Sequence, residues 1–299
     1  MKNLSLHQAY LSFCDFAAVH TNRRVWFSPS RRSKATHLRP LVFLLISLLL
    51  VLTNGALAQS GNVVISTPTT WSSGVYNLTS LTVSATLTLQ GATTINAANV
   101  TVEGGGSISA DGQGYPGANC NTPPNNPAGG GPGGGPFNCN NNGNGGSYGG
   151  LGTGPNTSSV ATYGSSLAPT DLGSGGSGGY QVYPAGNPTG GNGGGAIRLI
   201  VTGTLTNNGI VSANGGNGTA YYLGGVAGSG SGGSVYVTTG TLAGSGVFQA
   251  NGGTTTVPGN PPTTALAGGG GRVAIYFRMP AATRVSPPRP QPEEPTPAG

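Results

Sequence analysis

Between residues 59 and 278 the sequence has neither histidine nor lysine, so acid–base chemistry there falls to Glu103, Asp111, Asp171 and the tyrosines. A glycosidic hydrolase needs two carboxylates placed as acid and base across one bond. Glu103 and Asp111 lie eight apart across a turn, and a repeat described below accounts for Asp111. A lyase needs a basic residue, usually with Ca²⁺ held by several carboxylates, and no acidic cluster is present. No catalytic residue, resident metal or cofactor is therefore assigned. Zinc spacing is absent too, and a loop Ca²⁺ site on Asp111 or Asp171 with backbone carbonyls is the metal chemistry left open. The string GSGGSG (173–178) meets a phosphate-cradle pattern, but no helical pattern follows it, so it is read as coincidence.

Tyr115, Tyr148, Tyr163, Tyr180, Tyr183, Tyr221 and Tyr222 punctuate the glycine-rich stretches. Their rings can stack on sugars while their hydroxyls hydrogen-bond. Tyr180, Tyr183, Tyr221 and Tyr222 are the candidate ligand-binding set, with polysaccharide or cell-wall glycan as the expected partner. The alternative is that these rings pack glycine-rich loops back onto a β-wall. Cys120 and Cys139 are expected to pair as a disulfide in an exported chain, the alternative being two unpaired thiols.

Charge divides the chain. Seven of the 12 Lys and Arg precede residue 40 against Asp15 alone, so the leader carries the whole net charge of +6. The remainder is neutral, which removes the usual reason to read a basic chain as a nucleic-acid binder. The run LVFLLISLLLVL (41–52) is shorter than the roughly 20 residues that span a bilayer. With the basic stretch before it and Ala56-Leu57-Ala58 after it, residues 1–58 read as a leader and signal peptide. Membrane contact is expected only if that segment stays uncleaved. Location is expected to be secreted or cell-surface.

The elements that would carry these residues show as a repeat. GSISADG (106–112), GIVSANG (209–215) and GVFQANG (246–252) share one pattern; GGAIRL (194–199), GGSVYV (232–237) and GGRVAI (270–275) share another. The second and third copies of the first pattern lie 37 residues apart, the copies of the second pattern lie 38 apart, and GTL recurs with them at 203 and 240. Alternation sends Ile197, Leu199, Val235 and Val237 one way, into a core. GTL reads as a turn before a short strand, and Asx-Gly closes each coil. Stacked coils would align Asp111, Asn214 and Asn251 in a turn ladder, with residues 113–192 an excursion from the wall. Arg198 and Arg272 are expected to stack on the outer wall at equivalent repeat positions. Residues 59–278 thus form the glycine-rich domain, and the Pro-rich residues 279–299 a tail or linker.

On VEGGGSISADGQGY, YGSSLAPTDLGSGG, GGGAIRLIVTGTLTNNGIVSANGG, GGSVYVTTGTLAGSGVFQANGG and GGGGRVAIYF, the chain resembles glycine-rich repeat proteins with a pectin-lyase-like fold, exported or displayed at cell surfaces. The resemblance implies an all-β right-handed parallel β-helix, a β-solenoid with long glycine-rich loop insertions, and brings no catalytic residues. The expected function is an exported structural or adhesive module. A carbohydrate-binding module is the second expectation and a polysaccharide lyase or hydrolase the third.

Overall fold

The computed structural model describes residues 61–119, 128–136, 142–155, 160–179, 188–220, 225–256 and 266–278. All fall within the compact unit Ala56–Gly299. Among the described residues the chain is all-β, with parallel strands in stacked sheets and no helix.

One sheet runs through β1 (Asn62–Ile65), β4 (Ser80–Val83), β7 (Asn99–Val102), β9 (Ala196–Asn207), β11 (Ser234–Ala243) and β13 (Arg272–Phe277). β3 (Gly74–Asn77) pairs with β6 (Ala92–Ala97), and β6 in turn with β9. The second sheet stacks β2 (Thr69–Trp71), β5 (Thr86–Leu89), β8 (Ser107–Ser109), β10 (Ile210–Ser212) and β12 (Val247–Gln249). Every pairing within these sheets is parallel, so like positions of successive coils lie side by side.

Registers turn the alternation into columns. Val63, Leu81, Val100, Leu205 and Leu242 form one, and Leu87, Ile108, Val211 and Phe248 another. Both columns face one apolar core, where Leu87, Val100, Ile108, Leu205 and Val211 are wholly buried. Burying a Leu or Val side chain contributes about 1.5–3 kcal/mol, so each coil depends on its neighbours for its stabilisation.

The GTL strings differ from expectation. They are not turns between strands: β9 and β11 each run straight through, with a register shift between Thr239 and Thr241. The offset between β9 and β11 is 38 residues before the shift and 37 after it. A bulge absorbs one residue without ending the strand. Gly203 sits there because a Cβ would meet the Ala98 carbonyl oxygen at 2.7 Å.

The glycine-rich stretches form a second ordered body continuous with the sheets. Segments 112–118, 128–136, 142–154, 171–179, 188–195, 213–219, 225–233, 250–256 and 266–271 lie side by side and hydrogen-bond through their backbones. Their bonds repeat every three residues, where sheet bonds repeat every two. Gly173, Gly176 and Gly179 donate to Gly194, Gly191 and Pro188. A three-residue turn is the period of the polyproline II helix.

Segment 225–233 shows how the bundle is wired. Gly228 and Ser231 donate to Ser177 and Ser174; Ala227, Gly230 and Gly233 donate to Thr219, Gly216 and Ala213; Ser229 and Gly232 donate to Leu266 and Gly269. Each phase of the three-residue turn serves a different neighbour. Returning bonds come from Gly191 and Gly194, from Gly143 and Gly146, and from Gly253. Residues 173–179 and 225–233 are buried along their whole length. Chains this close leave no room for side chains: a Cβ at Gly228 would lie 1.9 Å from the Asn144 carbonyl oxygen, and one at Gly176 would lie 2.1 Å from that of Gly228. Collagen demands glycine at its crowded axis for the same reason. The described residues within 113–192, a stretch expected as an excursion, thus supply interior chains of this array. GSGGSG (173–178) is part of one of them.

Candidate functional site

Strand alternation places Arg198 of β9 and Tyr236 of β11 side by side on the face turned away from the core. The Arg198 guanidinium carbon lies 5.6 Å from the Tyr236 ring centroid, in cation–π range. Tyr236 meets Tyr276 of β13 edge-on, with centroids 6.0 Å apart and planes at 88°. Tyr276 donates its hydroxyl to the Leu167 carbonyl at 2.8 Å, which fixes its ring. Beside Arg198 lies an open cavity of about 360 Å³ lined by Val75, Thr94, Thr170 and Ile197 among others. A second of the same size lies along β9 and β11 at Thr202 and Thr238, with Arg278 in its lining. The face offers exposed cations, aromatic edges and threonine hydroxyls, groups suited to holding hydroxylated or anionic ligands.

A second cluster joins array to sheet. Tyr148 is fully buried; its hydroxyl lies 2.8 Å from Ser234 Oγ, and Ser234 donates to the Asp171 carbonyl at 2.6 Å. Tyr163 packs on Tyr148 with centroids 4.7 Å apart and donates to the Leu172 carbonyl. Arg272 reaches over the Tyr148 ring at 5.4 Å and donates Nε and Nη2 to the Tyr163 carbonyl at 3.1 and 2.9 Å. Burial raises both phenols: Tyr148 moves up from its ordinary value, and Tyr163 is pushed up to about 12. The cluster is a clasp. Arg272 pairs in register with Ser234 and Ala196, whereas Arg198 pairs with Tyr236 and lies two residues further along. The expected stacking of Arg272 with Arg198 is therefore corrected: only Arg198 lies on the open face, and Arg272 is half-buried in the clasp.

The structure brings Asp111, Asn214 and Asn251 into one line. The Asn214 amide donates to Asp111 Oδ1 at 2.6 Å, Asn214 Nδ2 lies 3.2 Å from Asp111 Oδ2, and the Asn251 amide donates to Asn214 Oδ1 at 2.8 Å. Three residues on, the Thr254 amide donates to Asn217 Oδ1 at 2.8 Å, so the ladder continues into the array with the array's own period. Both Asp111 oxygens are thereby engaged. Among the described residues no group of three or more His, Cys, Asp or Glu could hold a metal ion.

Tyr180, Tyr183, Tyr221 and Tyr222 lie outside the described residues, as do Cys120 and Cys139. Tyr236 and Tyr276 stand in strands β11 and β13, outside the glycine-rich stretches whose tyrosines formed the sequence-level candidate set. The available signal was the strand period, which puts Tyr236 two residues after Ser234, on the same face as Arg198. No family model, no curated protein and no solved structure matches this chain.

Proposed function

We propose that the chain is an exported, non-catalytic structural or adhesive module of a cell surface, built on a right-handed parallel β-helix. One observation carries the reading: sheets and glycine array form a single hydrogen-bonded body, with Gly195 and Ala196 bonded to Ala110 and Gly91 where array passes into β9. Such a body presents a firm surface with few ionisable groups, as a scaffold requires. Crossovers between parallel strands are right-handed in about 98 % of cases, which supports the handedness. Asp111 serves the ladder, and this supports the non-catalytic part. The test is adsorption of the purified protein to cell-wall and extracellular polysaccharides, with soluble products monitored. Saturable adsorption without products is expected. Released oligosaccharides would overturn the non-catalytic reading, and no adsorption to any surface would remove the adhesive one.

A carbohydrate-binding module is the second reading, and the Arg198–Tyr236–Tyr276 face with its cavity favours it. Replacing Arg198 and Tyr236 by Ala should weaken any glycan affinity while leaving the fold intact.

A further inference from the structure

Two turns of the ladder share one local sequence and differ in one hydrogen bond. Ala213-Asn214-Gly215-Gly216 and Ala250-Asn251-Gly252-Gly253 are the same four residue types, 37 apart. An Asn-Gly pair can react with itself: the glycine amide nitrogen, once deprotonated, attacks the asparagine Cγ. Glycine permits the attack because it has no Cβ to restrict or crowd its backbone. A glycine amide that donates to a carbonyl resists, since its proton is held and its nitrogen is fixed.

Seven Asn-Gly pairs lie among the described residues, and in six of them the glycine amide is bonded. Gly143, Gly145 and Gly193 donate to the Val226, Thr153 and Tyr115 carbonyls. Gly209 donates to Asn207 Oδ1 at 3.1 Å and Gly218 to Ser229 Oγ at 3.2 Å. Gly215 donates to the Asn251 carbonyl at 2.8 Å, just as Gly112 donates to the Asn214 carbonyl, so each rung takes its acceptor from the next coil. Gly252 stands at the last such rung among the described residues, and its amide donates no hydrogen bond to any of them.

The asparagine side chains differ in the same sense. Asn214 Oδ1 accepts the Asn251 amide at 2.8 Å and its Nδ2 lies 3.2 Å from Asp111 Oδ2, so turning Cγ toward Gly215 breaks both contacts. Asn251 Oδ1 accepts no bond from the described residues, and its Nδ2 reaches Gln249 Oε1 at a long 3.4 Å. Asn251 is exposed and Gly252 half-exposed, so hydroxide and water reach both.

We infer that Asn251 is a site of spontaneous chemical modification, deamidating through a succinimide with Gly252 while Asn214 stays intact. Hydroxide takes the Gly252 amide proton and the nitrogen bonds to Asn251 Cγ. The bond from Cγ to Nδ2 then breaks, and ammonia leaves with a proton from water. Water opens the ring at either carbonyl, giving aspartate or isoaspartate. Either product adds a negative charge to a domain whose charges otherwise balance. Isoaspartate also lengthens the backbone by one carbon beside Gly252, where a Cβ would lie 2.0 Å from the Gly268 carbonyl oxygen. The packing there has no slack, so this product loosens segment 250–256 from segment 266–271, and the array ages from this edge.

The full chain, aged in its folded state at mildly alkaline pH, digested with pepsin and read by mass spectrometry, tests the assignment. The Asn251 peptide should deamidate about tenfold or more faster than the Asn214 peptide, because reaction at Asn214 waits on local opening. In denaturant the two should react at equal rates, as their shared sequence requires. Equal rates in the folded chain, or a faster Asn214, would overturn the inference. A difference that persists in denaturant would place the cause outside the fold and overturn it as well. Hydrogen exchange on the unaged chain gives a second reading: the Gly252 amide should exchange well ahead of the Gly215 amide, and equal protection of the two would remove the premise.

Discussion

The sheets and the glycine array solve the same problem with opposite materials. In the sheets, buried space is filled by side chains in columns such as Val100, Leu205 and Leu242, and the backbone stays at strand spacing. In the array, buried space is filled by backbone, and segments approach until a Cβ at Gly228 would lie 1.9 Å from an oxygen. The sheets gain from apolar burial. The array gains from satisfied peptide groups, since an unpaired buried amide costs about 1–3 kcal/mol. Glycine loses the most conformational freedom on folding, so only a dense hydrogen-bond net holds such a region in order. The same residue that marks flexibility in a linker here marks the tightest packing in the molecule.

That contrast predicts opposite responses to size. Leu205→Ala leaves a cavity at the centre of the core column and should cost about 2–5 kcal/mol by denaturant unfolding; a loss under about 1 kcal/mol would mean the columns are not packed as described. Gly228→Ala adds one methyl where there is no room and should cost about 1–3 kcal/mol or more. Glycine-to-alanine changes stabilise by about 0.4–1 kcal/mol at permissive sites, so a gain here would break the account of the array. Gly270→Ala is the control: nothing lies within 4 Å of its Cβ, and its stability change should be small.

The joint between the regions comes next in size. Asn214→Ala removes the acceptor for the Asn251 amide and a donor to Asp111, and should cost about 1 kcal/mol. The clasp adds a pH signature. Tyr163 is raised to about 12 in the fold from its ordinary value of 10.0, so the folded state holds its proton longer than the unfolded state does. Its contribution is full below pH 10 and declines as pH rises from there through about 12. Partial solvent access keeps the effect modest. Tyr163→Phe should flatten that decline in an unfolding series from pH 8 to 12, and an unchanged slope would remove Tyr163 from the cause.

Legibility in the sequence follows the same divide. The inward set Ile197, Leu199, Val235 and Val237 and the Asn214–Asn251 pair are readable because side-chain types recur at 37 or 38 residues, and Asp111 joins that line through its shared Asx-Gly pattern after a longer gap. GTL was misread because a bulge inside a strand and a turn between strands both call for glycine. The array was not readable as structure, since glycine carries no polarity pattern to betray a face. Its one trace is a three-residue rhythm in GSGGSGG (173–179), which composition alone makes look like chance. Tyr236 and Tyr276 were legible in principle through strand parity. Arg272 stands two residues earlier in its motif than Arg198 does in its own, a separation the sequence already carries.

The most direct test of the central claim is amide hydrogen exchange across residues 173–179 and 225–233, read against β9 and β11. The account predicts that these glycine-rich segments exchange as slowly as the strands, because the Gly173, Gly176, Gly228 and Gly230 amides are bonded inside the array. Exchange at the rate of an unfolded chain, with the strands still protected, would show that the glycine array does not exist as an ordered body.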